Sequence, residues 1–542
     1  MIRLPTPGAG MLILLLLAQP LSASELLLVN GNIYTANPAN KWAEAIAITG
    51  DRIDAVGSNE EIMQLQEAGS RVIDLDRRTV IPGITDSHTH LWLGALALHG
   101  FNLATPQVYI EPHQEEALLG AIRAHAAAYP DDPILFGRVQ FPDDITLELL
   151  DLAVPDRPVV IHNPTEHTYW VNSQALALAN ITNEPVADPA FEQFVFRHED
   201  GRPTGVLDEA AMLLMDRALP KQPLEERMAW MQEAASYMNR FGITSVVNAT
   251  GGLDELELYA AMRDQGRLTL RTKTAFGIVG VNHELTPGFL SDLEQARATY
   301  DDNWVSANLV KFFANGAGGA LLYKPEDYRK LVLELDARGY QIMTHALGEE
   351  PVTLILDTYE EAIRVNGTRD RRFRIEHGIR IAADDVGRFA ESKVIASMQP
   401  DFCCFVDGDN PTNVYKSLLD SGAVVAFGSD WPCTFPPDPF GGIQQSVLRR
   451  VRTLFSAPDP VAEHAYVSPG QRLSVEQAVD AYTRGGAYAA FTDADRGSLE
   501  AGKLADLAVL TQDIFTVPPE LIGNTQAVMT MVGGEIVFDQ MR

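Results

Sequence analysis

The sequence predicts an α/β fold: a (β/α)8 TIM barrel, a small β-sandwich formed by both chain ends, and a long insertion after barrel strand 1. Three observations carry this reading. The middle of the chain alternates short β-branched runs with helical stretches, as βα units do. Candidate strand ends recur at steps of roughly 30 residues, the length of one βα unit, from Lys311 to His345 and on to His377, with nearly twice that step to Asp430. Both chain ends carry short alternating runs that cannot bury a core alone.

Residues 25–81 hold Leu26 to Val29, a turn at Asn30-Gly31, and Ile33 to Thr35. Ala45 to Thr49, Gly50-Asp51 and Ile53 to Val56 follow, and the whole reads as an antiparallel hairpin unit. Residues 496–542 resemble it, with Leu507 to Leu510, Ala527 to Val532, Gly533-Gly534 and Glu535 to Phe538. The economical solution pairs the two ends into one composite sandwich, leaving residues 82–495 for the barrel. Its first strand runs through Ile81 to His90. The next seven are Ile243 to Val247, Leu268 to Thr274, Val305 to Phe313, Tyr340 to Thr344, Arg372 to Glu376, Val394 to Met398 and Val424 to Gly428. Helical patterns lie between them at Leu224 to Arg240, Pro325 to Arg338, Glu349 to Val365 and Ala383 to Ser392. The first interval is far too long for one helix, so residues 91–240 contain a capping insertion at the carboxyl face.

Composition narrows the partners. The 542 residues carry a net charge of -31 with 46% apolar and 21% charged side chains. That is globular, and it leaves no broad basic surface for nucleic acid or an anionic membrane. Residues 1–24 read as a signal peptide: Arg3, an apolar run from Met11 to Ala18 too short to span a bilayer, then small residues before Ser24. The expectation is export to the periplasm or medium, with no stable membrane insertion after cleavage. Cys403, Cys404 and Cys433 read as free thiols, since adjacent Cys403 and Cys404 pair poorly with each other. A homodimer is the default assembly.

The chemistry is carried by six residues at predicted strand ends: His88, His90, Lys311, His345, His377 and Asp430. Alternation along a strand puts His88 and His90 on one face, as two ligands of one ion require. Imidazoles and a carboxylate suit zinc or a similar first-row ion. A protonated Lys311 beside cations would be repelled; as a carbamate formed with carbon dioxide it becomes a carboxylate-like bridge. Each residue also has an ordinary reading, His345 and His377 as core histidines, Lys311 in an ion pair, and Asp430 as a helix cap before Trp431-Pro432.

The segments Pro82 to His90, Val310 to Phe313, Thr344 to Gly348, Arg374 to His377, Gly428 to Pro432 and Gly497 to Asp506 together resemble the amidohydrolase superfamily. Within it they are similar to amidohydrolase family 3, the branch containing N-substituted formamide deformylases. The insertion matches through Asp156 to Val159, His167 to Ser173 and Gly201 to Val206. The resemblance implies two divalent metal ions, zinc by the donor set, with His88, His90 and Asp430 on one, His345 and His377 on the other, and carbamylated Lys311 between them. It implies hydrolysis of a non-peptide C–N bond, an N-formyl or N-acyl amide of a small molecule, by a metal-activated hydroxide. Asp430 would shuttle the proton, and His167 in the cap would contact the substrate. A deaminase or cyclic-amide hydrolase of the same superfamily is the alternative; such deaminases typically use one metal without a bridging lysine, so Lys311 separates the readings. A non-catalytic scaffold is the reading of another class. Asn315 and Glu349 stand where the branch usually carries aspartate.

Overall fold

The computed structural model describes residues 24–541 except 103–114, 140, 142–144, 164–166, 279–284, 317–318, 403–412, 434–435 and 451–466. The leader up to residue 23, Cys403 and Cys404 lie outside the described residues.

Eight parallel strands form one sheet: β1 (Ile84–Thr89), β2 (Ile243–Gly251), β3 (Arg271–Ile278), β4 (Val305–Phe313), β5 (Gln341–Ala346), β6 (Arg374–His377), β7 (Ile395–Met398) and β8 (Val425–Phe427). Their order in the sheet is their order in the chain, and the expected barrel is therefore found, strand by strand. Helices Leu224–Asn239, Pro325–Ala337 and Glu349–Asn366 fall where the patterns place them. Their apolar faces, including Met231, Met238, Leu331, Leu335, Ile355 and Tyr359, pack into the same core as the strands.

Ladder bonds join neighbours from β1 to β8 among the described residues, and different contacts close the ring. The Asp430 amide donates to the His88 carbonyl at 2.7 Å and the His90 amide to the Trp431 carbonyl at 2.8 Å. The buried Asp86 carboxylate, from within β1, accepts the Ser429 amide at 2.9 Å and its hydroxyl at 2.5 Å. Gly428 makes this approach possible, because a Cβ there would lie 2.5 Å from the His88 nitrogen.

Both chain ends share one six-stranded sheet, where Leu507–Leu510 runs antiparallel to Thr79–Pro82. A four-stranded sheet made of Arg52–Gly57, Ala45–Thr49, Leu26–Val29 and Arg71–Asp74 covers it, with Leu28, Ile33, Ile46, Val80, Leu507 and Met531 between the layers. The Asn30-Gly31 turn corrects the sequence reading. It does not close a hairpin: Leu26–Val29 and Asn32–Tyr34 lie in different sheets, and each also has a parallel neighbour. The crossing lets Leu28 and Ile33 bury against each other's layer, which one sheet would not allow.

The insertion carries its own six-stranded sheet, ordered Val195–Arg197, Pro203–Asp208, Thr168–Val171, Val159–His162, Leu135–Arg138 and Phe101–Asn102. Alternation serves two cores at once. Val159, Ile161 and Trp170 face one, while Val160, Tyr169 and Val171 face the other.

Arg271 at the start of β3 fastens the barrel to the sandwich. Its guanidinium grips Asp506 with bonds of 2.8 and 3.0 Å, both side chains being buried. Asp506 also accepts the Gly533 amide at 2.7 Å. Arg271→Ala strands the carboxylate in the interior and is expected to cost about 3–5 kcal/mol. A chemical denaturation midpoint equal to wild type would refute this.

Candidate metal centre

All six residues of β1 are buried, and His88 lies inside the barrel with no exposure. His90 follows at the carboxyl end. Asp430 comes directly after β8, across the closing seam, so its carboxylate lands between the two rings: Oδ1 is 3.4 Å from His88 Nε2 and 3.3 Å from His90 Nε2. Ligand atoms of these three residues all lie within 4.8 Å of one another, a spacing that fits a single ion. Lys311, fully buried on β4, holds Nζ 3.3 Å from His88 Nε2. His377 ends β6 with its ring 4.8 Å from that of His88, and the β5 residue His345 lies 4.6 Å from His377. The fold thus gathers all six sequence-predicted ligands. His167 of the cap joins them, with its ring 5.4 Å from His345.

The donor set fits a cation. Buried His345 Nε2 and Asp430 Oδ1 have no hydrogen-bond partner, and such groups are costly unless something binds them. The other ring nitrogens are occupied. His88 Nδ1 meets Glu376 Oε2 at 2.5 Å, His377 Nδ1 meets Gln399 Oε1 at 2.6 Å, and His90 Nδ1 meets Thr250 Oγ1 at 2.7 Å. For His88 and His90 these contacts leave Nε2 facing Asp430 Oδ1. Glu376 is in turn held by Arg374 through bonds of 2.8 and 2.9 Å, and Arg374 reaches the Ser87 carbonyl at 2.6 Å. His377 and Asp430 both adopt left-handed backbone, with φ of 67° and 58°.

Electrostatics favour a neutral imidazole cluster. Burial holds His88 and His345 well below the ordinary histidine value and lowers His377 to about 4. Burial also brings Lys311 down to about 8. For Asp430 burial pushes upward, but the His90 contact and nearby cationic groups outweigh it, and the carboxyl sits below its usual range.

Sequence reasoning missed the groups behind the ligands. Glu376 had a usable signal, since period two puts it on the inward face with Arg374. Thr250, Gln399 and Glu209 had none. Glu209 Oε1 holds His167 Nδ1 at 2.9 Å, and a Cβ on Gly316 would come within 2.2 Å of that oxygen. Asn315 is buried and staples two loops: its amide donates to the Leu347 carbonyl at 2.8 Å and accepts the Leu347 amide at 3.0 Å. An aspartate there would lose the donor. Glu349 opens helix Glu349–Asn366, where a negative charge suits the helix dipole. Cys433 is buried, its amide donating to the Asp430 carbonyl at 2.7 Å.

A sequence model of the amidohydrolase family matches residues 71–538. The chain belongs to this family. It is 28% identical to the protein LONG AFTER FAR-RED 3 of Arabidopsis thaliana, over 95% of this chain and 92% of that one. It is 25% identical to the N-substituted formamide deformylase of Arthrobacter pascens, over 95% and 98%. The structure of a metal-dependent hydrolase from Pyrococcus horikoshii OT3 superposes with a TM-score of 0.71 at 22% identity, covering 91% of this chain and 99% of that one. As an amidohydrolase the chain is a metal-dependent hydrolase.

The lowered imidazole values set a pH dependence for the metal-free protein. Below pH 6.5 the unfolded chain takes up a proton that folded His377 refuses until about pH 4, so acid removes stability in that window. Relative to His377→Asn, the wild type is expected to lose about 1.4 kcal/mol more per pH unit there. Parallel urea-midpoint profiles for the two proteins would refute it.

Proposed function

We propose that this amidohydrolase cleaves a non-peptide C–N bond, the N-formyl or N-acyl amide of a small molecule, at a two-metal centre bridged by carbamylated Lys311. The observation that carries the reading is the convergence of His88 Nε2, His90 Nε2 and Asp430 Oδ1 beside the buried amine of Lys311. The Arthrobacter relative, by its name a formamide deformylase, supports the amide substrate.

His88, His90 and Asp430 would hold one ion, and His345 and His377 the other. Bound metal would supply the positive charge that makes water acidic at neutral pH and polarises a carbonyl. The protein's own groups do the rest. Burial lowers Lys311 to about 8, so about a tenth of its amine is unprotonated near neutrality, far more than of an exposed lysine, and only the free amine captures carbon dioxide. The Asp430 carboxylate, a strong enough acid to stay ionised, accepts the attacking water's proton and returns it to the leaving nitrogen. Glu376 holds His88 with Nδ1 protonated, and Arg374 balances the Glu376 charge. His167, fixed by Glu209, is placed to contact the substrate carbonyl.

Asp430→Asn is expected to lower kcat by about 10²–10⁴-fold. Much of the metal should remain by elemental analysis, and wild-type-like turnover of N-formyl amines would remove Asp430 as the proton carrier. Lys311→Ala is expected to fall from two ions per chain, with partial recovery of metal and activity on adding a short carboxylic acid. Unchanged metal content would refute the carbamate bridge.

A further inference from the structure

A cavity of about 370 Å³ lies between the cap sheet and the barrel, with His90 and Thr250 in its wall, so it adjoins the metal centre directly. Much of its lining is apolar. Trp92, Leu93 and Leu96 come from helix α1 (Leu91–His99), which begins one residue after His90, and Phe136 and Val160 come from the cap sheet. The volume suits one ring-sized body.

Charged groups also line it, and most are engaged by protein. Lys221 pairs with Asp254, Arg227 lies over the Trp92 ring at 5.3 Å, and Arg138 donates to the Cys433 carbonyl at 3.2 Å. Glu255 accepts from the Asn248 amide at 2.7 Å and the Tyr259 hydroxyl at 2.9 Å. Asp216 is different. Tyr169 donates to its Oδ1 at 2.9 Å, yet the residue keeps an exposed surface while lining the cavity. Desolvation by the surrounding protein raises its pKa to about 6, against the lowering effect of the Tyr169 hydroxyl and of Arg217, and the carboxylate is ionised at neutral pH.

We propose that this cavity is a substrate subsite in which the Asp216 carboxylate, oriented by Tyr169, binds a protonated amine at the end of an apolar body, selecting N-acyl amides that carry a second, cationic amino group. The inference rests on the amide-hydrolase reading and specifies its substrate class. An ammonium pairs by charge with this cavity-lining carboxylate; a neutral group of the same shape does not. The apolar walls bind both, and because Asp254 and Glu255 also line the cavity, the part of the difference that Asp216→Asn removes is the part that reports Asp216.

The test is calorimetric binding of 2-phenylethylammonium and of its neutral isostere 2-phenylethanol to the full, metal-loaded chain. Neither probe can be hydrolysed, so the result is independent of turnover: failure of amide hydrolysis in a separate assay would overturn the catalytic reading without touching this measurement. The ammonium is expected to bind at least ~10-fold more tightly, the gain of one charged hydrogen bond, and Asp216→Asn should erase the difference. Leu96→Trp, which fills the cavity from α1, should weaken both probes while leaving metal content at the wild-type level. Equal affinities in the wild type, an ammonium preference that survives Asp216→Asn, or no binding of either probe would overturn the proposal.

Discussion

His88 sits on the first barrel strand, His90 follows directly after it and Asp430 follows the last, so the candidate metal-binding trio exists only where the sheet closes on itself. That closure is the constraint on which the rest depends. It is made by the buried Asp86 carboxylate gripping Ser429 and by two backbone bonds around His88 and Asp430. Gly428 allows the approach because it has no side chain to separate the strands. A barrel left open at this seam would part His88 and His90 from Asp430 and lose the site.

Closing the barrel places ionisable groups where water does not reach, and the structure answers that cost by pairing. Glu376 is buried against Arg374 and His88, and neither charge stands alone. The imidazoles remain neutral because burial disfavours their protonation, which is the state in which they donate lone pairs. Two buried atoms, His345 Nε2 and Asp430 Oδ1, are left without partners at the point where the other donors converge. The centre is therefore preorganised, and a cation would relieve rather than strain it.

The cap adds what the barrel lacks. Its sheet is buried on both faces, and the insertion brings Phe136 and Asp216 to the cavity beside His90 and His167, held by Glu209, to His345. Phe136 is carried by a strand of that sheet, Asp216 by helix Met212–Ala218, and His167 stands directly before strand Thr168–Val171, so regular elements wall the space beside His90. The candidate metal ligands belong to the barrel, and the insertion supplies much of the cavity wall beside them.

The residue types at the strand ends were readable because two periods govern them. Alternation along β1 placed His88 with His90, and the repeat of the βα unit placed Lys311, His345, His377 and Asp430 at successive mouths. Local chemistry was less decisive at Asn30-Gly31, because the same dipeptide serves a hairpin or a crossing between sheets, and only the shared core of Leu28 and Ile33 decides between them. Thr250, Gln399 and Glu209 carry no sequence mark: each is an ordinary polar residue until a strand or loop far away in the chain brings a histidine to it. By itself the sequence determined which side chains stand at the end of each strand, since that follows from local periodicity. Only the tertiary structure decided which atoms meet, because contact between β1 and β8, or between cap and barrel, is set by closure of the whole sheet and not by any neighbour in the chain.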